Sequence, residues 1–128
     1  MGNDGNDTLD GGGDRDLLIG GLGSDTLDGR GEDDLEIGGT TSYDANVAAL
    51  QAIETEWVTT PSYANRITDL LTGGGLSGGN YLQATGAKRT VFDDGSADTL
   101  TGGQGQDWFF PGTGDTITDL NSGTETTS

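Results

Sequence analysis

The sequence contains neither cysteine nor histidine, and it has only two prolines and five basic residues among its 128. Without cysteine the fold can use neither disulfide bonds nor thiol chemistry. Without histidine it lacks the commonest general base and the commonest ligand of transition metals. No apolar run approaches the length of a membrane-spanning segment, so we predict no membrane span.

Acidic residues, by contrast, are abundant, and they give the chain a formal net charge of −17. Residues 1–39 carry eleven acids against two arginines, a net of −9, and residues 91–128 carry a net of −7. Residues 40–90 contribute only −1. An acidic excess of this size disfavours nucleic acid as a partner. Because the acids of each end repel one another, we expect the chain to be expanded until cations neutralise them.

The acids belong to a repeat, which is clearest at residues 20–28 and reads G-G-x-G-x-D-x-U-x, with U a large apolar residue. Its glycines allow positive φ, its aspartate offers a hard carboxylate oxygen, and its last residues form a short strand with one inward side chain. Asp7, Asp16, Asp25 and Asp34 follow one another at intervals of nine residues. The pattern returns at residues 93–110, followed by a shorter copy at 111–118.

The repeat resembles that of the RTX (repeats-in-toxin, hemolysin-type) calcium-binding proteins, which are secreted by bacteria, over residues 2–39 and 90–118. The resemblance implies a mainly β fold, a parallel β-roll (a two-sheet β-solenoid) in which each nine-residue unit forms half a turn. Odd-numbered units then build one sheet and even-numbered units the other. The predicted inward residues are Leu9, Leu18, Leu27, Glu36, Val91, Leu100, Phe109 and Ile117.

Three residues depart from the family pattern. Asp14 and Glu32 stand where the fourth-position glycine is expected, so the second and fourth loops are either regular calcium loops or altered ones. Glu36 stands at an inward position, where a buried and unpaired carboxylate is costly. Either Glu36 is buried, or the strand slips and turns Leu35 and Ile37 inward instead.

The resemblance further implies that Ca²⁺ ions lie between loops two units apart, bound by loop carbonyls and by the sixth-position aspartate. This pairs the loops of Asp7 and Asp25, of Asp16 and Asp34, and of Asp98 and Asp115. It places the loop at Gly38–Gly39 between those of Asp25 and Asp107. The predicted metal ligands are Asn3, Gly5, Asp7, Gly12, Asp14, Asp16, Gly20, Gly21, Leu22, Gly23, Asp25, Gly29, Gly31, Asp34, Gly38, Thr40, Asp98, Gly103, Gly105, Asp107, Gly112, Gly114 and Asp115. The alternative is that these turns are acidic and solvated, and we favour that interpretation for Asp10, Asp28 and Asp119.

Between the two sets of repeats the periodicity becomes helical. Val47, Leu50, Ile53 and Trp57 would share one face of a first helix, whose start is indicated by a capping box of Thr41 and Asp44. A second helix, with Thr60 as its cap and Pro61 in its first turn, would bury Tyr63, Ile67, Leu70 and Leu71 and end at Gly73–Gly75. Val91 then supplies the fifth strand of the roll.

One domain therefore spans residues 1–128, with a first roll segment at 1–40, a helical insertion at 41–89, a second roll segment at 90–120 and a tail at 121–128. The outward residues of the even sheet, Leu17, Ile19, Leu35 and Ile37, are apolar and need a cover. We expect the helices to supply it.

Two classes of function remain. The first is a structural module that binds several Ca²⁺ ions and folds outside the cell, as the C-terminal part of a bacterial protein exported by a type I system. The second is an adhesion or glycan-binding module that uses Trp108, Phe110 and Tyr81, although burial of Trp108 and Phe110 under the helices or a neighbouring domain of a larger parent protein is favoured. We predict no enzyme activity, because nothing in the sequence arranges a nucleophile with a base. Glu54 and Glu56 could be read as a catalytic carboxylate pair, but they are two residues apart on a helix and do not face each other, so solvated surface is favoured for them.

Overall fold

The computed structural model describes all residues, 1–128, as a mainly strand-based structure with two helices. The strands are β1 (Asn3–Asp4), β2 (Thr8–Gly12), β3 (Leu17–Ile19), β4 (Gly21–Leu22), β5 (Thr26–Arg30), β6 (Leu35–Ile37), β7 (Thr40–Thr41), β8 (Val91–Phe92), β9 (Thr99–Thr101), β10 (Trp108–Phe110), β11 (Thr116–Ile117) and β12 (Thr126–Thr127). The helices are α1 (Val47–Thr59) and α2 (Tyr63–Thr72).

Two parallel four-stranded sheets organise the molecule. Sheet one has the strand order β11-β9-β5-β2, and sheet two has the order β12-β10-β6-β3. Strands consecutive in the repeats therefore alternate between the sheets. The insertion does not interrupt either sheet, because β5 pairs directly with β9 and β6 pairs directly with β10.

The residues predicted to point inward are aligned across each sheet. In sheet one Leu27 lies in register with Leu9 and Leu100, and both Leu27 and Leu100 are fully buried. In sheet two Glu36 lies in register with Leu18 and Phe109. The strand of Glu36 has therefore not slipped, and its carboxylate is buried between the sheets.

The prediction that Val91 supplies a fifth roll strand is wrong. Val91 lies in β8, which pairs antiparallel with β7 and joins neither large sheet. The two short strands form the neck of the insertion. Because one expected half-turn is missing, Leu100 joins the sheet of Leu27, and Phe109 joins that of Leu18, so the sheets of the second segment are exchanged relative to the prediction. The eighth strand of the two sheets is β12, from the segment predicted as a tail.

Both helices begin later than the sequence predicted. The Asp44 carboxylate accepts hydrogen bonds from the backbone and hydroxyl of Thr41, but this forms a turn that precedes the helix. Asn46 caps α1 by accepting the Ala49 N–H, and Ser62 caps α2. Gly73 ends α2 in the left-handed region with φ 77°, as predicted.

The helices cover the outer face of sheet two, which confirms their predicted position. A single apolar cluster joins the outward residues of β3, β6 and β10 to both helices. Its buried members are Ile19, Leu35, Ile37, Ile53, Trp57, Leu70, Leu82, Val91, Trp108 and Phe110. Val47 was predicted to share the buried face of α1 but is 66% exposed, because the helix begins there.

Candidate metal-binding loops

Four of the loops turn through two left-handed residues, at their second and fourth positions. In the third loop these are Gly21 and Gly23, with φ of 112° and 117°. In the fourth loop Arg30 and Glu32 adopt the same region, with φ of 74° and 68°, although both carry side chains. The fourth loop therefore keeps the turn despite its departure from the glycine pattern. Asp14 of the second loop does not adopt a positive φ, so that loop is altered.

Neighbouring loops on one edge stack closely. A Cβ atom placed on Gly23 would collide with the carbonyl oxygen of Gly5 in the adjacent loop. A Cβ on Gly20, the first residue of the third loop, would collide with the Gly38 carbonyl oxygen and lie 2.5 Å from Asp25 Oδ2. Carbonyl and carboxylate oxygens thus converge on space that only glycine leaves open.

The sixth-position aspartates connect the loops of each edge in a chain of hydrogen bonds. On the first edge the Asp7 N–H donates to Asp25 Oδ1, the Asp25 N–H donates to Asp98 Oδ1, both at 2.8 Å, and the Asp98 N–H donates to Asp115 Oδ1 at 2.9 Å. On the second edge, the Asp16 N–H donates to Oδ1 of Asp34 at 2.8 Å.

The same second edge continues across the insertion, because the Asp34 N–H donates to Asp107 Oδ1 at 2.8 Å. The structure thus brings together the three loop pairs that the repeat pattern predicts. It also brings together two pairs that the sequence analysis missed, Asp25 with Asp98 and Asp34 with Asp107, each 73 residues apart. Their adjacency could have been found by counting repeat units without the segment that contains Val91.

The second carboxylate oxygen of these aspartates is buried and has no hydrogen-bond partner. Such an oxygen occurs in six of the loops, at Asp7, Asp16, Asp25, Asp34, Asp98 and Asp107. Asp34 and Asp107 are fully buried, and Asp25 and Asp98 are only 2% and 3% exposed. Burial raises the pKa of Asp34 to about 8 and the pKa values of Asp98 and Asp107 to about 6.

These oxygens fit a hard divalent cation. A buried carboxylate is costly unless a positive charge or hydrogen-bond donors compensate it. No three acidic, histidine or cysteine side chains converge anywhere in the chain, so backbone carbonyls such as those of Gly20, Gly29 and Gly38 must provide much of any ligand set. Oxygen-only ligation by carboxylates and carbonyls is typical of Ca²⁺.

The loop that begins at Gly38–Gly39 was misplaced by the sequence analysis. A Cβ on Gly38 would lie 2.7 Å from Oδ2 of both Asp98 and Asp115, so Gly38 belongs to their edge and does not lie between Asp25 and Asp107. The insertion therefore lies inside one loop, which starts at Gly38 and ends at Asp98.

Asp93 and Asp94 complete this interrupted loop. In the regular third loop the Leu22 carbonyl accepts the N–H of Gly5 at 2.8 Å. At the interrupted loop, Oδ2 of Asp94 accepts the corresponding N–H of Gly23 at the same distance. Oδ2 of Asp93 accepts the Thr113 N–H and Oδ1 accepts the Gly95 N–H, and these two hydrogen bonds lower the pKa of Asp93.

Two glutamates are buried, Glu36 between the sheets and Glu56 within the helical insertion. Glu36 Oε1 accepts the Gly29 N–H at 3.0 Å, Glu36 Oε2 has no partner, and burial raises the pKa of Glu36 to about 8. The prediction that Glu56 is solvated is wrong, because Glu56 is fully buried and accepts the Leu76 N–H. Its side chain closes the glycine-rich turn that follows α2.

The aromatic residues considered as a binding patch are covered. Trp108 is fully buried and Phe110 is 2% exposed, both under the helices. Asp119, predicted to be solvated, is exposed, but its carboxylate accepts the N–H groups of Gly102 and Gly103. It therefore helps to hold the sixth loop, which runs from Gly102 to Asp107, a role that the sequence did not indicate.

The comparisons with known proteins agree with this geometry. A family model described as the RTX calcium-binding nonapeptide repeat matches the chain in four copies, over residues 1–36 and 90–117, which together make up half of the chain. No curated protein and no solved structure shows a significant match. Neither helix combines the length and apolar character needed to traverse a lipid bilayer.

Proposed function

Because the chain belongs to the RTX calcium-binding nonapeptide-repeat family, we propose that it is a structural module that folds as a parallel β-roll when it binds several Ca²⁺ ions. Calcium would supply positive charge between neighbouring loops. The chain's own residues would bind it through aspartate carboxylates and loop carbonyls, and the two sheets would hold those loops at a fixed spacing. Metal binding and folding would then be one coupled process.

The observation that carries this proposal is the set of six buried carboxylate oxygens without partners. They lie three to an edge. In four of the six aspartates the other carboxylate oxygen accepts an N–H from the preceding loop of that edge. The remaining two, Asp7 and Asp16, are the first aspartates of their edges. Six carboxylates that lose their hydration without gaining a compensating positive charge would oppose folding. Cations at the gaps between the loops reverse the sign of that contribution, so the folded chain needs them.

The chemistry supports an extracellular setting. Calcium sites of extracellular modules typically have dissociation constants of roughly 10⁻⁴–10⁻³ M, which millimolar calcium saturates and low intracellular calcium does not. We propose that the chain remains unfolded in the bacterial cell and folds after export, at the C-terminal end of a larger secreted or cell-surface protein. Neighbouring domains of that protein would be its partners, and the module itself would not be an enzyme.

The adhesion alternative lacks support from the structure. It required the aromatic side chains at positions 108 and 110 to remain exposed, but both lie in the core beneath the helices. Tyr81 alone is partly accessible, and its carbonyl is engaged by Tyr43 and Thr90. A single half-buried tyrosine does not form an aromatic binding surface.

A calcium titration followed by circular dichroism tests the proposal. We expect a disordered spectrum in chelator and a β-rich spectrum in millimolar calcium, with a midpoint in the range given above. Magnesium is the control ion, and it should substitute poorly because it dehydrates reluctantly and demands octahedral geometry. The same folded spectrum in chelator and in calcium would refute the proposal.

A further inference from the structure

The helical insertion contacts the loops of one edge directly. The Trp57 indole N–H donates to the Asp33 carbonyl oxygen at 2.8 Å, and the Tyr63 hydroxyl donates to the Asp107 carbonyl oxygen at 2.7 Å. Asp33 immediately precedes Asp34. The two carbonyls therefore belong to the fourth and sixth loops, which adjoin each other across the insertion.

Arg66 of α2 adds a charged contact to the same edge. Its side chain is fully buried, and it forms an ion pair with the Asp33 carboxylate. The guanidinium carbon lies 4.8 Å from the ring centroid of Trp57 and 5.5 Å from that of Tyr63, so both rings orient it. It also donates to the carbonyls of Thr60 and Pro61, which fixes it to the turn between the helices.

The Asp33 carboxylate links this arginine to the next loop as well. Its Oδ1 accepts the N–H of Gln106 at 2.8 Å, and Gln106 immediately precedes Asp107. One carboxylate thus joins α2, the fourth loop and the sixth loop. With Arg66 neutralising it, Asp33 contributes less repulsion to the two adjacent aspartates than a free carboxylate would.

We propose that the helical hairpin clamps the fourth and sixth loops together, and that Tyr63, Trp57 and Arg66 are positioning residues that raise the calcium affinity of the gap between Asp34 and Asp107. This inference rests on the proposed function and assigns to the insertion a role in one particular gap. The contacts of the helices with the two loops offset part of the conformational entropy that the loops lose when they order around an ion. By reciprocity, calcium at this gap must stabilise the docked helices by the same factor.

Two tyrosines provide a matched test in the full chain. Tyr63→Phe removes a hydroxyl that donates to a loop carbonyl and keeps the ring that packs on Trp57 and Arg66. Tyr43→Phe removes a hydroxyl whose hydrogen bonds, to the backbone of Tyr81, stay inside the insertion. The two variants have the same chemistry and unchanged net charge. They differ in whether the lost bond reaches a loop.

Terbium luminescence sensitised by tryptophan reports on this edge, because Tb³⁺ also prefers hard oxygen ligands. Both tryptophans of the chain lie here: Trp57 bonds to the fourth loop, and Trp108 follows Asp107. Displacement of Tb³⁺ by calcium gives the midpoint for the edge, whereas circular dichroism gives the midpoint for the whole array. Losing one hydrogen bond should raise the calcium midpoint at this edge roughly two- to tenfold in Tyr63→Phe.

In Tyr43→Phe the edge midpoint should move no further than the midpoint from circular dichroism. Equal shifts of the edge midpoint in the two variants, or none in Tyr63→Phe, would overturn the clamp and leave the proposed function intact. A parent chain that responds to neither ion would overturn the proposed function as well. Asp33→Asn provides a second variant, which should raise the edge midpoint further, because it removes the ion pair with Arg66 and keeps an oxygen for the Gln106 N–H.

Discussion

Replacing the carboxylate of Asp25 by an amide tests whether this aspartate is a metal ligand, since the same replacement can be made at a solvated aspartate of the same repeat. Asp25 Oδ1 accepts the Asp7 N–H at 2.8 Å, while Oδ2 is buried without a partner near the Gly38 carbonyl. Asp25→Asn keeps an oxygen for the first contact and places an N–H₂ group at the second. Asp28→Asn is the control, because Asp28 lies on the same repeat, is partly exposed and only approaches Arg30 at 3.7 Å.

The two variants should diverge only when calcium is present. Burial raises the pKa of Asp25, so a folded state without calcium disfavours this carboxylate, and in chelator Asp25→Asn should show the same disordered spectrum as the parent chain. In calcium the variant lacks one anionic ligand, and ligand charge tunes calcium affinity over several orders of magnitude. We expect the midpoint of the folding transition to rise roughly tenfold, about 1.4 kcal/mol at the affected gap. Asp28→Asn should change stability by less than about 0.5 kcal/mol.

Calcium titrations of both variants and the parent, followed by circular dichroism at fixed ionic strength, give the comparison. Because the substitutions change net charge equally, a difference between them cannot come from the overall charge of −17. Equal midpoints for Asp25→Asn and Asp28→Asn would show that the loops attract cations without coordinating them, and the ligand assignment would then be abandoned.

Two further substitutions test the packing around the loops. Gly23→Ala should destabilise the calcium-loaded chain in urea by clearly more than Gly5→Ala, because both residues have φ near +120° but only the new Cβ at Gly23 meets the carbonyl of a neighbouring loop; similar losses would contradict the stacking. Glu36→Gln should raise the free energy of unfolding at neutral pH by about 3 kcal/mol, since Glu36 has its pKa raised to about 8 and the amide still accepts the Gly29 N–H. The native state binds the Glu36 proton more tightly than the unfolded chain does, so the cost of Glu36 to the free energy of unfolding grows as pH rises from the ordinary pKa of 4.5 toward about 8. If Glu36→Gln stabilised the chain equally at about pH 4, the raised pKa of Glu36 would be contradicted.

The repeat register could be predicted from sequence because it is written locally in every unit. An aspartate every nine residues, followed two residues later by an apolar side chain, fixes the inward alignment of Leu27 with its neighbours. The apolar outward residues of sheet two also predicted that another element covers this face, since an exposed strip of leucine and isoleucine is unfavourable in water. The helices that bury Ile53 and Leu70 against it follow from that requirement.

What failed was the assignment of Val91, and the physical reason is that a short apolar segment carries no direction of pairing. Val91–Phe92 has the composition of a roll strand, but it pairs antiparallel with the strand Thr40–Thr41. Pairing partners are decided by chain closure around the whole insertion, which no nine-residue pattern contains. The same limit applies to Glu56, whose burial depends on a turn twenty residues away, where it accepts the Leu76 N–H.

The place of the insertion explains how two separated sets of repeats can form common sheets. An insertion inside a strand would break the parallel ladder, whereas one inside a loop leaves the strands on both sides whole. Here the chain leaves after Gly39 and returns at Asp93, with the neck closed by β7 and β8. Asp94 then accepts the N–H of Gly23 where a loop carbonyl would otherwise do so. The interrupted loop thus offers its neighbours nearly the same hydrogen-bonding groups as an intact one, and the ladder of Asp25 and Asp98 continues as if the units were consecutive.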